Sequence, residues 1–235
     1  MKRTDILAVI HARGGSKRIP LKNLVHLHGK PLLAYPILTA KASRFITRVV
    51  VSTDHAGITE EAKKWGAEVP FCRPADISED VPSELVTLHA LEYLQFKENY
   101  KPSIVVTMTP ATPFTSVEKI DEGIALLEKQ ANWDSVVTVR KASEHPEWMM
   151  WRENEEETFQ TVLGNPLNGK YNVSQNLRPA YYPLGAFFIN RTDRFLQTRC
   201  LYGSTYGAIV LDATHNIDID TIQDLTAAET MNVFS

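Results

Sequence analysis

The chain has 235 residues, of which 43 % are hydrophobic, and this length and composition suit one α/β domain with a sizeable buried core. The formal net charge of −3 gives no general attraction to nucleic acid or to an anionic membrane, so neither is expected as a partner. No apolar run reaches membrane-spanning length, and the two cysteines form no CxxC pair, which indicates a reduced, cytoplasmic setting without a structural zinc site.

The first predicted element is a buried parallel strand at residues 6–10, and a loop rich in glycine and cations follows it directly. Gly14 and Gly15 are expected to adopt positive φ and to turn their N–H groups into a concavity surrounded by positive charge. The cations are Arg13, Lys17, Arg18 and Lys22. Such a loop suits a polyphosphate, although the GxxxxGK[ST] and GxGxxG patterns are both absent. The alternative is a tight turn with solvated basic residues.

Helices and strands then alternate, which predicts a mostly parallel sheet with helices on both faces. The predicted helices are 32–41, 58–65, 83–96, 116–129 and 221–233. The predicted strands are 48–52, 68–71, 104–106, 135–139, 186–189 and 208–211. Ser83 and Thr221 are expected to cap their helices, and Gly66 is expected to end one.

The alternation stops between residues 140 and 183, where the chain becomes polar and irregular. This segment is too long for a simple connection, so we expect an inserted hairpin or lid within a single domain spanning residues 1–235. An acidic run at residues 153–157 is interpreted as a solvated face. The aromatic content is too large to leave in solvent, which indicates packing against a partner surface. The aromatic residues are Trp148, Trp151, Tyr171, Tyr181 and Tyr182.

Asp218 and Asp220 form a second candidate site, because an extended segment places both carboxylates on one face and Ile217 and Ile219 on the other. Two like charges so close are costly unless a cation lies between them. Mg²⁺ suits this position, since it takes one or two carboxylates and completes its shell with water and phosphate oxygens. The alternative is a pair of surface aspartates before a helix. A polyphosphate loop nearby favours the metal.

The segment ARGGSKRIPLKN, residues 12–23, resembles the signature of the acylneuraminate cytidylyltransferases, or CMP-sialic acid synthetases, with CMP-Kdo synthetases as more distant relatives. The similarity continues in the same order along almost the whole chain. The further blocks are GKPL at 29–32, VSTD at 51–54, GAEVPF at 66–71 with RP at 73–74, and IDIDT at 217–221. The resemblance implies a three-layer, Rossmann-like fold of the nucleotide-diphospho-sugar transferase type, with an inserted dimerisation hairpin or lid.

The same resemblance implies a reaction. The anomeric hydroxyl of an acidic sugar attacks the α-phosphate of CTP and gives a CMP-sugar and pyrophosphate, with Mg²⁺ as cofactor and a homodimer as the assembly. The implied catalytic residues are Arg13, Lys22, Asp218 and Asp220, of which the aspartates hold the metal. The implied nucleotide-binding residues are Ala12, Arg13, Gly14, Gly15, Ser16, Lys17, Lys22, Asn23, Arg73 and Ser83. Among these, Asn23, Arg73 and Ser83 are expected to recognise the base.

The sugar side departs from the family pattern. Thr109 replaces the usual glutamine, Ser174 the usual arginine, and Leu184 the usual asparagine. Each change removes a hydrogen-bonding group, so we expect an acceptor poorer in hydroxyls than N-acetylneuraminic acid or differently substituted, such as legionaminic or pseudaminic acid. The candidate sugar-binding residues are Thr109, His145, Gln175 and Tyr182. His11 stands where proline is usual and is interpreted as shaping the loop.

Two other functions stay open from the sequence. One is a guanylyl- or uridylyltransferase that acts on a related bacterial sugar. The other is a nucleotide sensor without catalytic activity, which the intact loop and both aspartates disfavour, since a sensor has less need of a metal at the α-phosphate.

Overall fold

The computed structural model describes residues 5–152, 158–212 and 217–231, and a six-stranded sheet lies at its centre. In chain order, the strands are β1 (Ile6–His11), β2 (His26–Leu27), β3 (Lys30–Pro31), β4 (Arg48–Ser52), β5 (Ile104–Met108), β6 (Ser135–Lys141), β7 (Met150–Arg152), β8 (Phe159–Thr161), β9 (Tyr181–Arg191) and β10 (Tyr206–Val210). The helices are α1 (Ala34–Ala42), α2 (Ala56–Lys64), α3 (Ser83–Glu98), α4 (Val117–Lys129), α5 (Thr192–Thr198) and α6 (Ile222–Glu229). None of the described helices is both long and apolar enough to cross a bilayer.

The strands of the central sheet lie in the order β10-β6-β9-β5-β1-β4, and β2–β3 and β7–β8 form two small ribbons. β1 is parallel to β4 and β5, and β10 is parallel to β6, so the predicted mostly parallel α/β sheet is confirmed. β9 is antiparallel to both of its neighbours, β5 and β6. The register between β6 and β9 shifts after Val137, which produces a bulge around Gly185 beside the cleft described below.

Helices cover both faces of the sheet, so the side chains of β1 are buried on both sides. Ile6, Ala8 and Ile10 pack in one cluster with residues of α1, α2 and α4. Leu7 and Val9 pack in a second cluster with residues of α3 and α5. The predicted three-layer arrangement is therefore confirmed, and it brings the carboxyl ends of β1 and β5 to one edge of the sheet, where loops can form a site.

A third cluster joins distant parts of the chain at this edge. Ile19 of the glycine-rich loop packs with Ile219 near the C-terminus, with Leu225 of α6 and with Leu27 of β2. Ile219 is fully buried, and its N–H donates to the carbonyl of Ala111 at 2.8 Å. Burial of two apolar side chains thus holds the IDIDT segment beside the cationic loop.

The helix ends agree only partly with the sequence prediction. Thr221 caps α6 through a capping box with Asp224, and Gly66 has a φ of 86°, so both predictions are confirmed. The predicted Ser83 cap is wrong: Pro82 precedes the helix in an extended conformation, and Ser83 is its first residue. α6 ends at Glu229 rather than Val233, and residues 232–235 lie outside the described part.

Two further differences concern strands and helices. The predicted strand at residues 68–71 is wrong, because only a single bridge between Val50 and Glu68 forms there. Helix α5 and residues 181–185 of β9 were not predicted, since neither shows a strong apolar period.

β7 and β8 pair antiparallel within residues 140–183, the segment expected to be an inserted hairpin or lid. The acidic run at 153–157 lies outside the described residues. Trp148 packs locally: its indole N–H donates to the carbonyl of Tyr171 at 2.6 Å, and its ring meets that of His145 edge-on at 5.0 Å. Other large apolar side chains of the hairpin are more than half exposed, among them Trp151 and Phe159.

Candidate active site

A cleft of about 710 Å³ opens where β1 and β5 end. Its lining brings together predicted residues from the loop, from the region between β4 and α3, and from the C-terminal segment. Those predicted residues are Arg13, Ser16, Lys17, Lys22, Asn23, Arg73, Ser83, Thr109, Asp218 and Asp220. Residues separated by up to about two hundred positions thus share one concave surface.

The loop after β1 does not have the backbone that the sequence suggested. Positive φ was expected at Gly14 and Gly15, but neither residue has it, and the left-handed conformation lies instead at Leu21, with φ 48°. Glycine at 14 serves a close approach, because a Cβ there would lie 2.9 Å from the Cβ of His55. The N–H of Gly14 donates to Oδ1 of Asp54 at 2.8 Å, so this amide already has a partner.

The four cations of the loop all pair with carboxylates. Arg13 and Lys17 both donate to Asp80, the latter at 2.7 Å. These two bonds hold the pKa of Asp80 at about 2, with Lys17 the larger cause. Arg18 and Lys22 both donate to Asp220, at 2.9 and 3.0 Å.

Arg13 is only partly satisfied by its carboxylate partner. Its Nη2 bonds Asp80, whereas its Nη1 is buried and lacks a hydrogen-bond partner within the described part of the chain. A buried, charged N–H group without a partner is costly, and an anion in the cleft would remove that cost.

The aspartate pair lies in the cleft as predicted. Ile219 points into the core, and Asp218 and Asp220 on either side of it line the cavity. Burial raises the pKa of the Asp218 carboxyl group, and the nearby negative charge of Asp220 raises it further. Two neighbouring carboxylates that repel each other are a ligand set that suits Mg²⁺. The described residues contain no group of three or more His, Cys, Asp or Glu arranged for a metal.

The predicted base-recognition residues are partly committed to the protein. The amide nitrogen of buried Asn23 donates to the carbonyl of Arg13 at 2.8 Å and so fixes the loop. Nε of Arg73 donates to Oγ of Ser52 at 3.1 Å. Burial lowers the pKa of Arg73 to about 10, which leaves it charged at neutral pH. Ser83 lines the cleft at the first turn of α3.

His11 ends β1, lines the cleft and links three elements. Its Nε2 lies 3.0 Å from Oγ1 of Thr87 in α3, which in turn lies 2.9 Å from Oγ1 of Thr107 in β5. Burial, with a contribution from Arg73, lowers the pKa of His11 to about 3, so the ring is neutral at physiological pH. These contacts agree with the interpretation of His11 as a residue that shapes the loop.

Several predicted residues lie outside the cleft lining. Ala12 is fully buried, and its N–H donates to the carbonyl of Ser52 at 3.0 Å, so it supports the loop from behind. His145, Gln175 and Tyr182 lie in the inserted segment, and the cleft of the same chain does not include them.

The three departures on the sugar side occupy different surroundings. Thr109 lines the cleft, where its Oγ1 accepts from the N–H of Ala111 at 3.3 Å. Leu184 packs against the main core, and Ser174 is exposed on the inserted segment. Only Thr109 therefore touches the site within one chain.

Several lining residues had no role predicted from the sequence. They include Glu79, Asp80, Ala111, Gly185 and Phe188. Glu79 and Asp80 stand just before the Val81-Pro82 pair that precedes α3, and acidic residues a few positions after Arg73 were a signal that could have drawn attention to this loop.

Residues 7–158 match the sequence profile of a family described as Cytidylyltransferase. A pseudaminic acid cytidylyltransferase of Campylobacter jejuni is 32 % identical over 225 residues, which cover 95 % of this chain and 94 % of that protein. A CMP-N,N'-diacetyllegionaminic acid synthase of Legionella pneumophila is 30 % identical with the same coverage. An N-acylneuraminate cytidylyltransferase of Escherichia coli is 30 % identical over 97 % of this chain and 52 % of its own length.

Two solved structures share the fold. A CMP:2-keto-3-deoxy-manno-octonic acid synthetase complexed with CTP superposes with a TM-score of 0.71, at 15 % identity, over 96 % of this chain and 97 % of that one. A 4-diphosphocytidyl-2C-methyl-D-erythritol synthase of Anaerococcus prevotii gives a TM-score of 0.65 at 16 % identity, over 96 % and 95 %.

Proposed function

Because the chain belongs to the cytidylyltransferase family, as the motifs in its sequence indicated, we propose that it transfers CMP from CTP to a sialic-acid-like nonulosonic acid and releases pyrophosphate. The observation that carries this proposal is the meeting of the cationic loop and the aspartate pair in one cleft. The cationic loop can bind a triphosphate, and the aspartate pair can hold a metal that assists transfer at the α-phosphate.

The residues of the cleft suit charge stabilisation rather than covalent catalysis. In phosphoryl and nucleotidyl transfer, negative charge spreads over the phosphoryl oxygens as the acceptor oxygen approaches and the pyrophosphate leaves. Arg13, Lys17 and Lys22 would hold the triphosphate. The unpartnered Nη1 of Arg13 is a donor for a phosphate oxygen, and the attacking group would be the acceptor's own anomeric hydroxyl.

Mg²⁺ is the cofactor we propose for Asp218 and Asp220. When bound, the metal would neutralise charge on the phosphate oxygens and orient them. The carboxylate of Asp218 makes no hydrogen bond to other described residues, whereas Asp220 is held by Lys22 and Arg18. Asp218 is therefore the more readily available ligand.

The inserted segment supports a homodimer in which each cleft is completed by the other chain. Side chains with large exposed apolar surface, which is unfavourable in water, include Trp151, Phe159 and Tyr182, at 56, 59 and 53 % exposure. Since Tyr182, His145 and Gln175 are absent from the cleft lining of their own chain, we propose that they contribute to the acceptor pocket of the partner. We also propose a cytoplasmic location for the reaction.

The acceptor is proposed to be a pseudaminic- or legionaminic-type acid rather than N-acetylneuraminic acid. Thr109 supports this choice, because its short hydroxyl, which already accepts from the Ala111 N–H, offers a hydroxyl-rich sugar fewer hydrogen bonds than the amide of the usual glutamine.

A matrix of each nucleoside triphosphate against several acidic sugars tests the function, with Mg²⁺ present and the products read by mass spectrometry. A CMP-nonulosonate with CTP alone is the expected product. A UMP- or GMP-sugar would overturn the choice of base, and nucleotide binding without any product would favour a sensor.

A further inference from the structure

Asp80 lines the cleft and pairs with two of the cations proposed to hold the triphosphate. It is an exposed residue of the loop before α3, yet its two carboxylate oxygens bond two different cations of the loop after β1. Asp80 accepts from Nη2 of Arg13 and from Nζ of Lys17, 67 and 63 positions earlier in the chain. One carboxylate thus holds two of the three cations that the nucleotide needs.

We infer that Asp80 competes with the triphosphate for Arg13 and Lys17. The Asp80 carboxylate leaves these two cations when nucleotide binds and returns to them when pyrophosphate departs. This inference rests on the proposed function. A solvent-exposed ion pair contributes only about 0–1 kcal/mol, so a ligand that carries several negative charges would displace it.

The second observation is the unsatisfied nitrogen of Arg13. Nη1 is buried without a partner while Nη2 bonds Asp80, so the internal carboxylate satisfies the guanidinium incompletely. A phosphate group, with three acceptor oxygens, can satisfy both nitrogens. Asp80 therefore suits a resting partner that keeps the cations in place and yields to the ligand.

The competitor has a kinetic consequence. A tight cationic site retains pyrophosphate, and retention of that product slows the next turnover. A carboxylate that returns to Arg13 and Lys17 lowers the affinity for pyrophosphate and speeds its release.

Titration of the protein with pyrophosphate, CTP and cytidine by isothermal calorimetry tests this inference in wild type, Asp80→Asn and Asp76→Asn. Asp80→Asn is expected to bind pyrophosphate and CTP roughly three- to tenfold more tightly, with cytidine unchanged. Asp76→Asn makes the same substitution in the same loop, but Asp76 is exposed, lies outside the cleft lining and bonds none of the loop cations in the described structure, so a change below about twofold is expected. In turnover, Asp80→Asn should show stronger inhibition by pyrophosphate.

Weaker or unchanged pyrophosphate binding in Asp80→Asn would overturn the inference and identify Asp80 as a residue that positions Arg13. An equal gain in Asp76→Asn would also overturn it, because the effect would then be one of overall charge. If wild type bound neither pyrophosphate nor CTP, the proposed function would fail as well.

Discussion

Nζ of Lys22 lies 3.0 Å from Oδ1 of Asp220, although 198 positions separate the two residues. The same Nζ donates to the carbonyl of Ile219 at 2.7 Å, so Lys22 ties the cationic loop to the aspartate segment. One residue thus belongs to both halves of the site. The contact explains why the two most informative motifs of the sequence, at opposite ends of the chain, form a single cleft.

Removal of either central cation should abolish most turnover. Arg13→Ala and Lys22→Ala are each expected to lower kcat/KM with CTP by about 10²–10³, because each deletes a donor that stabilises charge in the transition state. Lys22→Ala should also cost roughly 1 kcal/mol of stability, since it removes the bond to Ile219. Steady-state kinetics and urea unfolding measure the two effects.

Arg44→Ala is the matched control for these variants. Arg44 is 73 % exposed, pairs with Asp121 and lies outside the cleft, so its loss should leave kcat/KM unchanged. Near-native kcat/KM in Arg13→Ala would show that the triphosphate is bound elsewhere.

The aspartates should control the dependence on Mg²⁺. Asp218→Asn and Asp220→Asn keep the side-chain shape but remove charge from a hard-cation site, so each should raise the half-saturating Mg²⁺ concentration by about tenfold or more. Asp193→Asn is the control, because Asp193 is exposed in the first turn of α5, outside the cleft, and its loss of charge should leave the metal dependence unchanged. An unaltered Mg²⁺ titration in both cleft variants would leave the pair as a surface feature.

His11 should make stability fall in mild acid. Its pKa is about 3 in the folded protein and near 6.5 when unfolded, so between these values the unfolded state binds more protons. Stability therefore decreases as the pH drops below about 6.5, by roughly 1 kcal/mol per pH unit. His11→Gln should flatten this dependence between pH 7 and 5 in urea unfolding, whereas His26→Gln, at an exposed position, should not. If the free energy of unfolding of His11→Gln depended on pH as steeply as that of wild type, His11 would not be the source of the pH dependence.

Thr109 should influence the choice of acceptor. Wild type is expected to use N-acetylneuraminate poorly, and Thr109→Gln should move the ratio of kcat/KM values toward it by about tenfold. Restoring Arg at 174 and Asn at 184 as well should extend the shift. Leu184→Asn alone should cost roughly 1–3 kcal/mol of stability, because Leu184 packs against the core. Efficient use of N-acetylneuraminate by wild type would contradict the proposed preference for a pseudaminic- or legionaminic-type acceptor.

The inserted segment should hold two chains together. Light scattering at micromolar concentration is expected to give twice the chain mass, and Trp151→Asp with Phe159→Asp should reduce it to one chain with loss of turnover. Phe96→Asp is the control, since Phe96 is 81 % exposed on α3, outside the inserted segment. A fully active monomer would exclude a shared acceptor pocket.

The sequence predicted what depends on local pattern. The buried strand β1, the Thr221 cap and the alternation around Ile219 all follow from burial and hydrogen bonding within a few residues. The cations of the loop were identifiable for the same reason, because charge and glycine lie together in one short segment.

The features that the sequence did not predict depend on distant neighbours. The antiparallel direction of β9 is set by the path of the inserted segment, and the conformation of Gly14 by the approach of His55. Asp80 pairs with Arg13 and Lys17 across two loops. The loops are more than 60 positions apart in the chain, so the sequence gives no sign of this contact. Each of these features needs the packed structure to be seen.

Transfer of ¹⁸O tests the central claim, attack of the acceptor on the α-phosphate of CTP, most directly. The acceptor is labelled at its anomeric oxygen, incubated briefly with enzyme, Mg²⁺ and CTP in unlabelled water, and the products are analysed by mass spectrometry. The CMP-sugar is expected to keep the label, the pyrophosphate to be unlabelled, and the two to form in equal amounts. A CMP-sugar without the label, or pyrophosphate release without any CMP-sugar, would contradict the claim.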